Sequence, residues 1–243
     1  MQLIKELNGH SGASVSLYDN NTVVKNGYKK ARQSADILLS LPFKTPEIYE
    51  VTDESIVMEY VNGEDIASFL EQNGNEGIDL LIGFIEKYYS WCFENSTTYN
   101  FGEELDDKAF QIADTINLAS LTNKLKYDMP KSMIHGDFTF DNMLHKDGEF
   151  YLIDANPTNL SSIYFDGAKL RQDIDGFWFL RSRPDKINFK ISCKRISEHL
   201  KSTYAFMNDD NLYCFMLCRI LPYCKDDFTI KFLTKEIDRI WPL

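Results

Sequence analysis

Basic residues are scarce in this chain: 26 lysines and arginines stand against 37 aspartates and glutamates, a formal net charge of −11 over 243 residues. Binding to nucleic acid or to an anionic membrane surface depends on Lys and Arg side chains that neutralise phosphates. We therefore expect neither DNA, RNA nor a membrane as a partner. A cationic ligand, or a ligand complexed with a metal ion, is compatible with this charge.

Long hydrophobic runs are also missing. No segment reaches the roughly 18 to 20 apolar residues of a membrane-spanning helix, and the first residues, MQLIKELNGHSG, lack the charged start and apolar core of a secretory signal. None of the five cysteines forms a CxxC pair: Cys92, Cys193, Cys214, Cys218 and Cys224. These absences predict a cytoplasmic protein with free thiols and no cysteine-held metal ion.

The apolar content is ample for a folded core, with 44% hydrophobic and 14% aromatic residues. The length fits one globular unit with two lobes. Residues 1–61 contain short β-prone runs separated by turn-forming clusters, and one helix. The predicted strands are Leu3–Leu7, Val15–Tyr18, Thr22–Lys25, Ile48–Val51 and Ser55–Tyr60, and the predicted helix is Tyr28–Leu41.

A boundary between the lobes is expected after Val61, because the segment MEYVNGEDI changes from a strand through a glycine turn into a helix. Residues 62–243 are mostly helical, apart from one hairpin in which Met143–His145 and Phe150–Asp154 flank the loop KDG. The predicted helices are Ile78–Phe93, Asp106–Leu125, Asp173–Leu180, Phe189–Met207, Asn211–Leu221 and Asp227–Trp241.

The hairpin carries the chemistry-bearing residues of the sequence. If Lys146, Asp147 and Gly148 form a three-residue loop with Gly148 left-handed, Asp154 lies diagonally from Asn142 on one face, with Cα atoms roughly 7 to 8 Å apart. A two-residue loop would turn Asp154 to the opposite face. A shared metal site therefore predicts the longer loop.

Magnesium is the metal that suits this pair, because it takes hard oxygen ligands and is held by one or two protein groups together with substrate phosphates. Asn142 and Asp154 would supply the protein ligands. Asp137, five residues before Asn142, would face the same site and accept a proton from a hydroxyl group. Taken singly, each residue also fits a turn-forming role, and it is their order along the chain that favours the chemical interpretation.

The pattern HGDxxxxN followed by LID resembles the catalytic and metal-binding loops of the aminoglycoside phosphotransferase and choline kinase families. The resemblance implies a bilobal, protein-kinase-like fold of the α+β class: residues 1–61 form a nucleotide-clamping lobe with a small antiparallel sheet and one helix. Residues 62–243 form a mostly helical lobe that carries the catalytic hairpin. Asp137 is then the catalytic base, Asn142 and Asp154 are the Mg²⁺ ligands, and His135 braces the loop.

The resemblance extends to the first lobe. Lys25 in TVVK is similar to the strand lysine that contacts the α and β phosphates of ATP, and NGHSGAS, with Gly9, Ser11 and Gly12, lies where these families cover the phosphates. This loop is neither GxGxxG nor a Walker motif, so that it is a weak signal alone. The implied cofactors are ATP and Mg²⁺.

The segment MEYVNG resembles the linker between the lobes, where the main chain of Glu59 and Val61 would bind the nucleobase. Main-chain contacts leave GTP open as an alternative to ATP. The helix after Lys25 has no glutamate to pair with this lysine, as the families have. Gln33 or Asp36 is the expected substitute, and we prefer Gln33.

The resemblance implies transfer of a γ-phosphoryl group to a hydroxyl of a sugar, aminoglycoside-like or choline-like acceptor. The alternative is a pseudokinase that binds nucleotide or a partner without turnover, which the missing glutamate favours and the intact Asp137 opposes. An acidic, aromatic rim formed by Asp173, Asp175 and Trp178 would suit a cationic acceptor. The segments YFDGAKLRQDIDGFW and LCRILPY resemble small kinases encoded near bacterial surface-polysaccharide genes. No pattern predicts the oligomeric state.

Overall fold

A computed structural model describes residues 2–7, 12–112 and 119–241. The strands in chain order are β1 (Leu3–Leu7), β2 (Ser14–Tyr18), β3 (Thr22–Asn26), β4 (Ile48–Val51), β5 (Ser55–Glu59), β6 (Glu64–Asp65), β7 (Thr97–Asn100), β8 (Asp128–Lys131), β9 (Met143–Lys146) and β10 (Glu149–Leu152). The helices are α1 (Ala31–Ser40), α2 (Ile66–Glu94), α3 (Gly102–Ile112), α4 (Ala119–Thr122), α5 (Ile163–Ile174), α6 (Ile187–Thr203), α7 (Asp210–Cys218) and α8 (Asp227–Ile240).

The chain packs as two compact units, each built from separate stretches of sequence. The first comprises Met1–Phe69, His135–Asp137 and Asp141–Pro157, and the second comprises Leu70–Ile134, Phe138–Phe140 and Thr158–Leu243. The hairpin joins the first unit because its strands are tied there: the Leu152 N–H donates to the Lys44 carbonyl at 2.9 Å. The lobe boundary after Val61 remains a prediction. The two compact units are not two successive stretches of the chain, because the first unit also contains residues 135–137 and 141–157.

The first unit contains a five-stranded antiparallel sheet in the order β1-β2-β3-β5-β4, which agrees with the strands expected from the sequence. Helix α1 buries Ala31 and Ala35 with Ile56 of β5. Their spacing repeats every three to four residues, as an amphipathic helix on a sheet requires. The structure therefore has the antiparallel N-terminal sheet with one helix that the α+β prediction described.

The turn between β9 and β10 differs from the expectation. Strands β9 and β10 pair Lys146 with Glu149, so that the loop consists of two residues, Asp147 and Gly148, and not three. Both residues have positive φ, 52° and 81°. Asp-Gly at two left-handed positions is the preferred sequence of a type I′ turn, whose twist matches that of the flanking strands.

The second unit is mostly helical, as predicted. One core cluster gathers residues from α3, α5, α7 and α8, with Phe101, Tyr213 and Phe215 fully buried. Helices α7 and α8 begin at aspartate caps: the Asp209 side chain accepts from the Leu212 N–H, and Asp226 accepts from the Thr229 N–H.

Several predicted helices have wrong bounds; α2, for example, begins at Ile66 and not at Ile78. In place of Asp106–Leu125 the structure has α3 and the short α4, and the residues between them lie outside the described ranges. In place of Asp173–Leu180, helix α5 ends at Ile174 and a 3₁₀ turn follows at Trp178–Leu180. None of the described helices has the length and hydropathy of a membrane span. All five cysteines are free, as expected.

Candidate functional site

Lys25 and Asp154 meet in the first unit although 129 positions separate them in the sequence. Lys25 ends the buried part of β3 and is only 3% exposed. Its Nζ lies 2.5 Å from Asp154 Oδ1 and 3.9 Å from the centre of the Tyr28 ring. The two residues that the resemblance assigns to phosphate and metal are therefore neighbours.

Asp154 leaves strand β10 in a left-handed conformation, with φ 55°. The ladder extends one step past the strand, where the Ile153 N–H donates to the Asn142 carbonyl at 3.0 Å, and then stops. The alternation of side chains applies only inside a ladder. The two-residue loop therefore does not determine the face on which the Asp154 side chain lies. A positive φ at Asp154 takes this residue out of the strand conformation, in which side chains alternate between faces.

Asn142 closes a 3₁₀ turn over Phe140–Asn142 and contacts Asp137 twice. Its Nδ2 donates to the main-chain carbonyl of Asp137 at 2.9 Å and to Oδ2 of the same residue at 3.0 Å. This network assigns the amide so that its nitrogen faces Asp137. The carbonyl oxygen Oδ1 is then the Asn142 atom with the chemistry of a Mg²⁺ ligand.

His135 ties the two functional segments together. The ring is fully buried, and Nε2 lies 2.9 Å from the Ile153 carbonyl. The His135 carbonyl accepts the Asn156 N–H at 2.9 Å. Since these bonds join the stretch before Asp137 to the residues on both sides of Asp154, His135 holds Asp137 and Asp154 in register, as the resemblance implied.

Tyr28 lies close enough to the carboxylates of Asp154 and Asp137 for both to affect its pKa. Its pKa is raised to about 12, first because the ring is partly buried and then because of the negative charge of Asp154 and, more weakly, of Asp137. Ser34 partly offsets this rise of the pKa, and the Ser34 hydroxyl donates to the Ala155 carbonyl at 2.5 Å. Tyr28 is therefore neutral at physiological pH and keeps its ring under Lys25.

The partner proposed for Lys25 on helix α1 is not the one in the structure. Gln33 and Asp36 are both exposed, and Lys25 pairs with Asp154. The buried polar residue of α1 is Ser34, which is 1% exposed and lies on the inward face with Ala31 and Ala35. Gln33 is rotated away because successive helical residues are about 100° apart.

The residues assigned to the nucleotide loop and the linker are only partly described. Gly9 and Ser11 lie outside the described residues, and Gly12 is exposed with φ 78°, a conformation that favours glycine. The Glu59 N–H donates to the Glu47 carbonyl at 2.8 Å. Val61 is buried, its carbonyl accepts the Gly63 N–H at 2.9 Å, and its own N–H finds no acceptor within the described ranges.

The acidic rim predicted from Asp173, Asp175 and Trp178 is wrong for the two aspartates, because both are internal. Asp173 is fully buried and accepts the Phe140 N–H at 2.7 Å. Burial by itself raises the pKa of Asp175, but Arg171 at 2.6 Å, together with Lys201, holds that pKa below its ordinary value. Both carboxylates therefore stabilise the second unit from within.

Sequence reasoning missed the role of Asp173, although the signal was present. Asp166 and Asp173 are seven positions apart, which places them on one face of helix α5, and both are fully buried. The Tyr88 hydroxyl donates to Asp166 at 2.5 Å, just as Phe140 donates to Asp173. Carboxylates on the apolar face of a helix are a signal of buried acceptors.

Asp173→Ala is expected to lower the free energy of unfolding by about 1–3 kcal/mol or more, because it leaves the buried Phe140 N–H without this acceptor. Asp173→Asn keeps an acceptor oxygen at nearly the same place and should cost less. Urea denaturation of both variants measures the difference. Equal losses would show that the charge of Asp173, and not its bond to Phe140, stabilises this unit.

The donor set fits a magnesium ion that is completed by phosphates. Within the described ranges no three His, Cys, Asp or Glu side chains form a group that could hold a metal ion alone. Asn142 and the 51% exposed Asp154 side chain offer one amide and one carboxylate oxygen. That is the usual protein share at a Mg²⁺–nucleotide site.

No family model matches the sequence, and no curated protein is similar to it at sequence level. Solved structures do share the fold. The streptomycin–ATP complex of APH(2″)-IIa has 13% identity and a TM-score of 0.60, covering 98% of this chain and 91% of its own. Glucosamine kinase with glucosamine, ADP and inorganic phosphate has 12% identity and a TM-score of 0.58, covering 98% and 76%. APH(4)-Ia with ADP and hygromycin B has 12% identity and a TM-score of 0.63, covering 99% and 94%.

Proposed function

We propose that this chain, which shares the fold of aminoglycoside phosphotransferases and glucosamine kinase, transfers the γ-phosphoryl group of ATP to a hydroxyl group of a small molecule. The observation that carries the proposal is the meeting of Lys25 with Asp154 and of Asn142 with Asp137 in one unit. The Lys25–Asp154 contact joins residues 129 positions apart, so it does not follow from sequence proximity. Each is expected if these residues form a phosphoryl-transfer site.

The proposed roles follow from the chemistry of each side chain. Phosphoryl transfer passes through a loose transition state that needs positioning and charge neutralisation more than covalent catalysis. Lys25 would exchange its contact with Asp154 for the ATP phosphates. Asp154 and Asn142 would then hold Mg²⁺, which neutralises the phosphate charge when it is bound.

Asp137 is the proposed base. Its Oδ2 is oriented by the Asn142 amide, and its main-chain carbonyl is held by the same group. A carboxylate fixed in this way accepts the proton of the attacking hydroxyl without changing its rotamer. The same amide connects the base with the metal site, so that the two functions are aligned with one another.

The main chain of Val61 is the proposed contact for the nucleobase, because its buried N–H finds no acceptor in the described part of the chain. A bound base would supply that acceptor, and a buried N–H left unpaired is costly. The carbonyl of Glu59 is the second proposed contact. Gly12, with Gly9 and Ser11, belongs to the proposed phosphate loop.

The proposed acceptor is a small polyhydroxyl or amino-alcohol compound. Neighbours in fold bind streptomycin, hygromycin B or glucosamine. A screen of ADP release over sugars, aminosugars, choline and ethanolamine tests this class. Acceptor-dependent ADP release by the wild-type chain supports the proposal, and its absence for the whole panel opposes it.

Tyr28→Leu is expected to raise the KM for ATP by about 5- to 30-fold, because a desolvated cation–π contact contributes roughly 1 to 2 kcal/mol. The ring positions Lys25, whose Nζ lies 3.9 Å from its centre. Tyr28→Phe keeps the ring and should stay close to wild type. If Tyr28→Phe raises the KM for ATP as much as Tyr28→Leu does, the hydroxyl and its contact with Ser34 matter more than the ring.

A further inference from the structure

A cleft of about 450 Å³ lies within the second unit, at the turn that joins helix α5 to the 3₁₀ turn Trp178–Leu180. This volume is in the range of small-molecule sites. Its lining is dominated by basic and aromatic side chains: Phe177, Arg183, Lys190, Phe232, Lys235 and Arg239.

The charge that the cleft presents to solvent is mainly positive. Of its three carboxylates, Asp175 is buried and already bound by Arg171 and Lys201. Glu236 is buried as well, and it accepts from Tyr213 at 2.9 Å and from Arg239. The third, Asp185, is exposed. Four basic and three acidic residues give the cleft a formal charge of +1, against −11 for the whole chain.

Two of these basic side chains are available to a ligand in different ways. Lys235 is exposed and has no partner within the described ranges. Lys190 pairs with the exposed Asp185 at 2.6 Å, and its Nζ lies 5.5 Å from the Phe177 ring. An exposed ion pair contributes little to stability and exchanges easily for a stronger anion.

The Phe177 ring is held at the cleft by a strained backbone. Phe177 has φ 55°, which is an outlier for a bulky residue. The preceding Gly176 is required, because a Cβ there would lie 2.9 Å from the Gln172 carbonyl and 2.6 Å from the Tyr213 hydroxyl. Strain of this kind concentrates at ligand sites, where the surrounding structure maintains it.

The cleft is built on the same scaffold as the catalytic segment Phe138–Phe140. The Phe140 ring contacts the rings of Phe179 and Phe189, with centroids 6.2 and 6.0 Å apart. The Phe140 N–H is held by Asp173, three positions before Gly176. The turn that forms one wall of the cleft is therefore anchored to the segment that follows the HGD motif.

We propose that this cleft binds a small sugar that carries an anionic group, a phosphate or a carboxylate. Lys235 and Lys190 would bind the anion, since ammonium groups make charge-assisted hydrogen bonds to it. The rings of Phe177 and Phe232 would pack against the sugar. The proposal does not rest on the proposed function, because binding here requires no nucleotide.

The test is titration calorimetry of the full chain, without nucleotide, against glucose 6-phosphate, glucuronate, inorganic phosphate, glucose and glucosamine. We expect glucose 6-phosphate or glucuronate to bind at least about tenfold more tightly than glucose and glucosamine. Lys235→Glu should weaken that binding by about tenfold or more. Lys231→Glu, on the same helix but outside the cleft, makes the same charge change and should alter affinity by less than about twofold.

A second variant separates the sugar contact from the anion contact. Phe177→Gly removes the ring while glycine tolerates its positive φ. It should weaken glucose 6-phosphate and leave inorganic phosphate unchanged. The proposal is overturned if none of the anions binds, if glucose binds as tightly as its phosphate, or if Lys235→Glu behaves like Lys231→Glu. Asp137→Asn should retain the binding, so that failure of the catalytic proposal is seen separately.

Discussion

Asp137→Asn should lower the rate of phosphoryl transfer by a factor of about 10² to 10⁴ and leave ATP binding unchanged, because it removes the proton acceptor without removing a phosphate contact. The asparagine still accepts the Asn142 Nδ2 hydrogen bond through its Oδ1, so that the loop geometry is preserved. The measurement is single-turnover transfer at saturating ATP, together with the ATP dissociation constant by calorimetry.

A matched control for this variant is Asp147→Asn. It makes the same chemical change on the same hairpin, at an exposed turn position with φ 52° that asparagine accepts readily. We expect Asp147→Asn to transfer phosphate at the wild-type rate. Turnover by Asp137→Asn comparable to that of the control would exclude Asp137 as the base.

Asp154→Ala should abolish most of the gain in ATP affinity that Mg²⁺ provides. In the wild-type chain we expect ATP to bind at least about tenfold more tightly with Mg²⁺ than without it, about 1.4 kcal/mol. In the variant the two affinities should converge, since Asn142 alone is a weak site for a divalent cation. Calorimetry with and without Mg²⁺ measures both values, and an undiminished Mg²⁺ effect would remove Asp154 from the metal site.

Asp154→Ala also tests the state of Lys25. Lys25 is 3% exposed, and in this variant its ammonium group loses the carboxylate that lies 2.5 Å away. A buried charge without its partner destabilises the fold, and the half-exposed position of Asp154 limits the loss. Thermal unfolding should therefore show a lower melting temperature that added ATP partly restores, because the phosphates replace the lost carboxylate.

The sequence predicts the elements of the first sheet well because hydrophobic spacing is local. Short β-prone runs between turn-forming clusters predict the five strands of the first sheet, and helical spacing of apolar residues predicts helix α1. The loop length of the hairpin was not, although Asp147-Gly148 is a strong two-residue turn signal. A metal site shared by Asn142 and Asp154 favours the three-residue loop, which keeps both residues on one face, but a positive φ at Asp154 makes that condition unnecessary.

Contacts over long sequence separations explain the remaining differences. A partner for Lys25 on α1 would have to lie on the inward face of this helix. The buried positions 31, 34, 35 and 38 identify Ser34 as the polar residue on that face. Gln33 fails this pattern, so that a stricter use of the helical period would have excluded it. The pairing of Asp173 with Phe140 joins positions 33 residues apart and needs the tertiary fold.

The most direct test of the catalytic proposal follows the γ-phosphoryl group itself. Phosphorus NMR of the chain with ATP, Mg²⁺ and the panel of sugars, aminosugars, choline and ethanolamine should show a new phosphomonoester signal with at least one acceptor. That signal should be absent with Asp137→Asn and present with Asp147→Asn. Tight binding of ATP without any acceptor-dependent phosphomonoester would contradict the proposal and identify a nucleotide-binding protein without turnover.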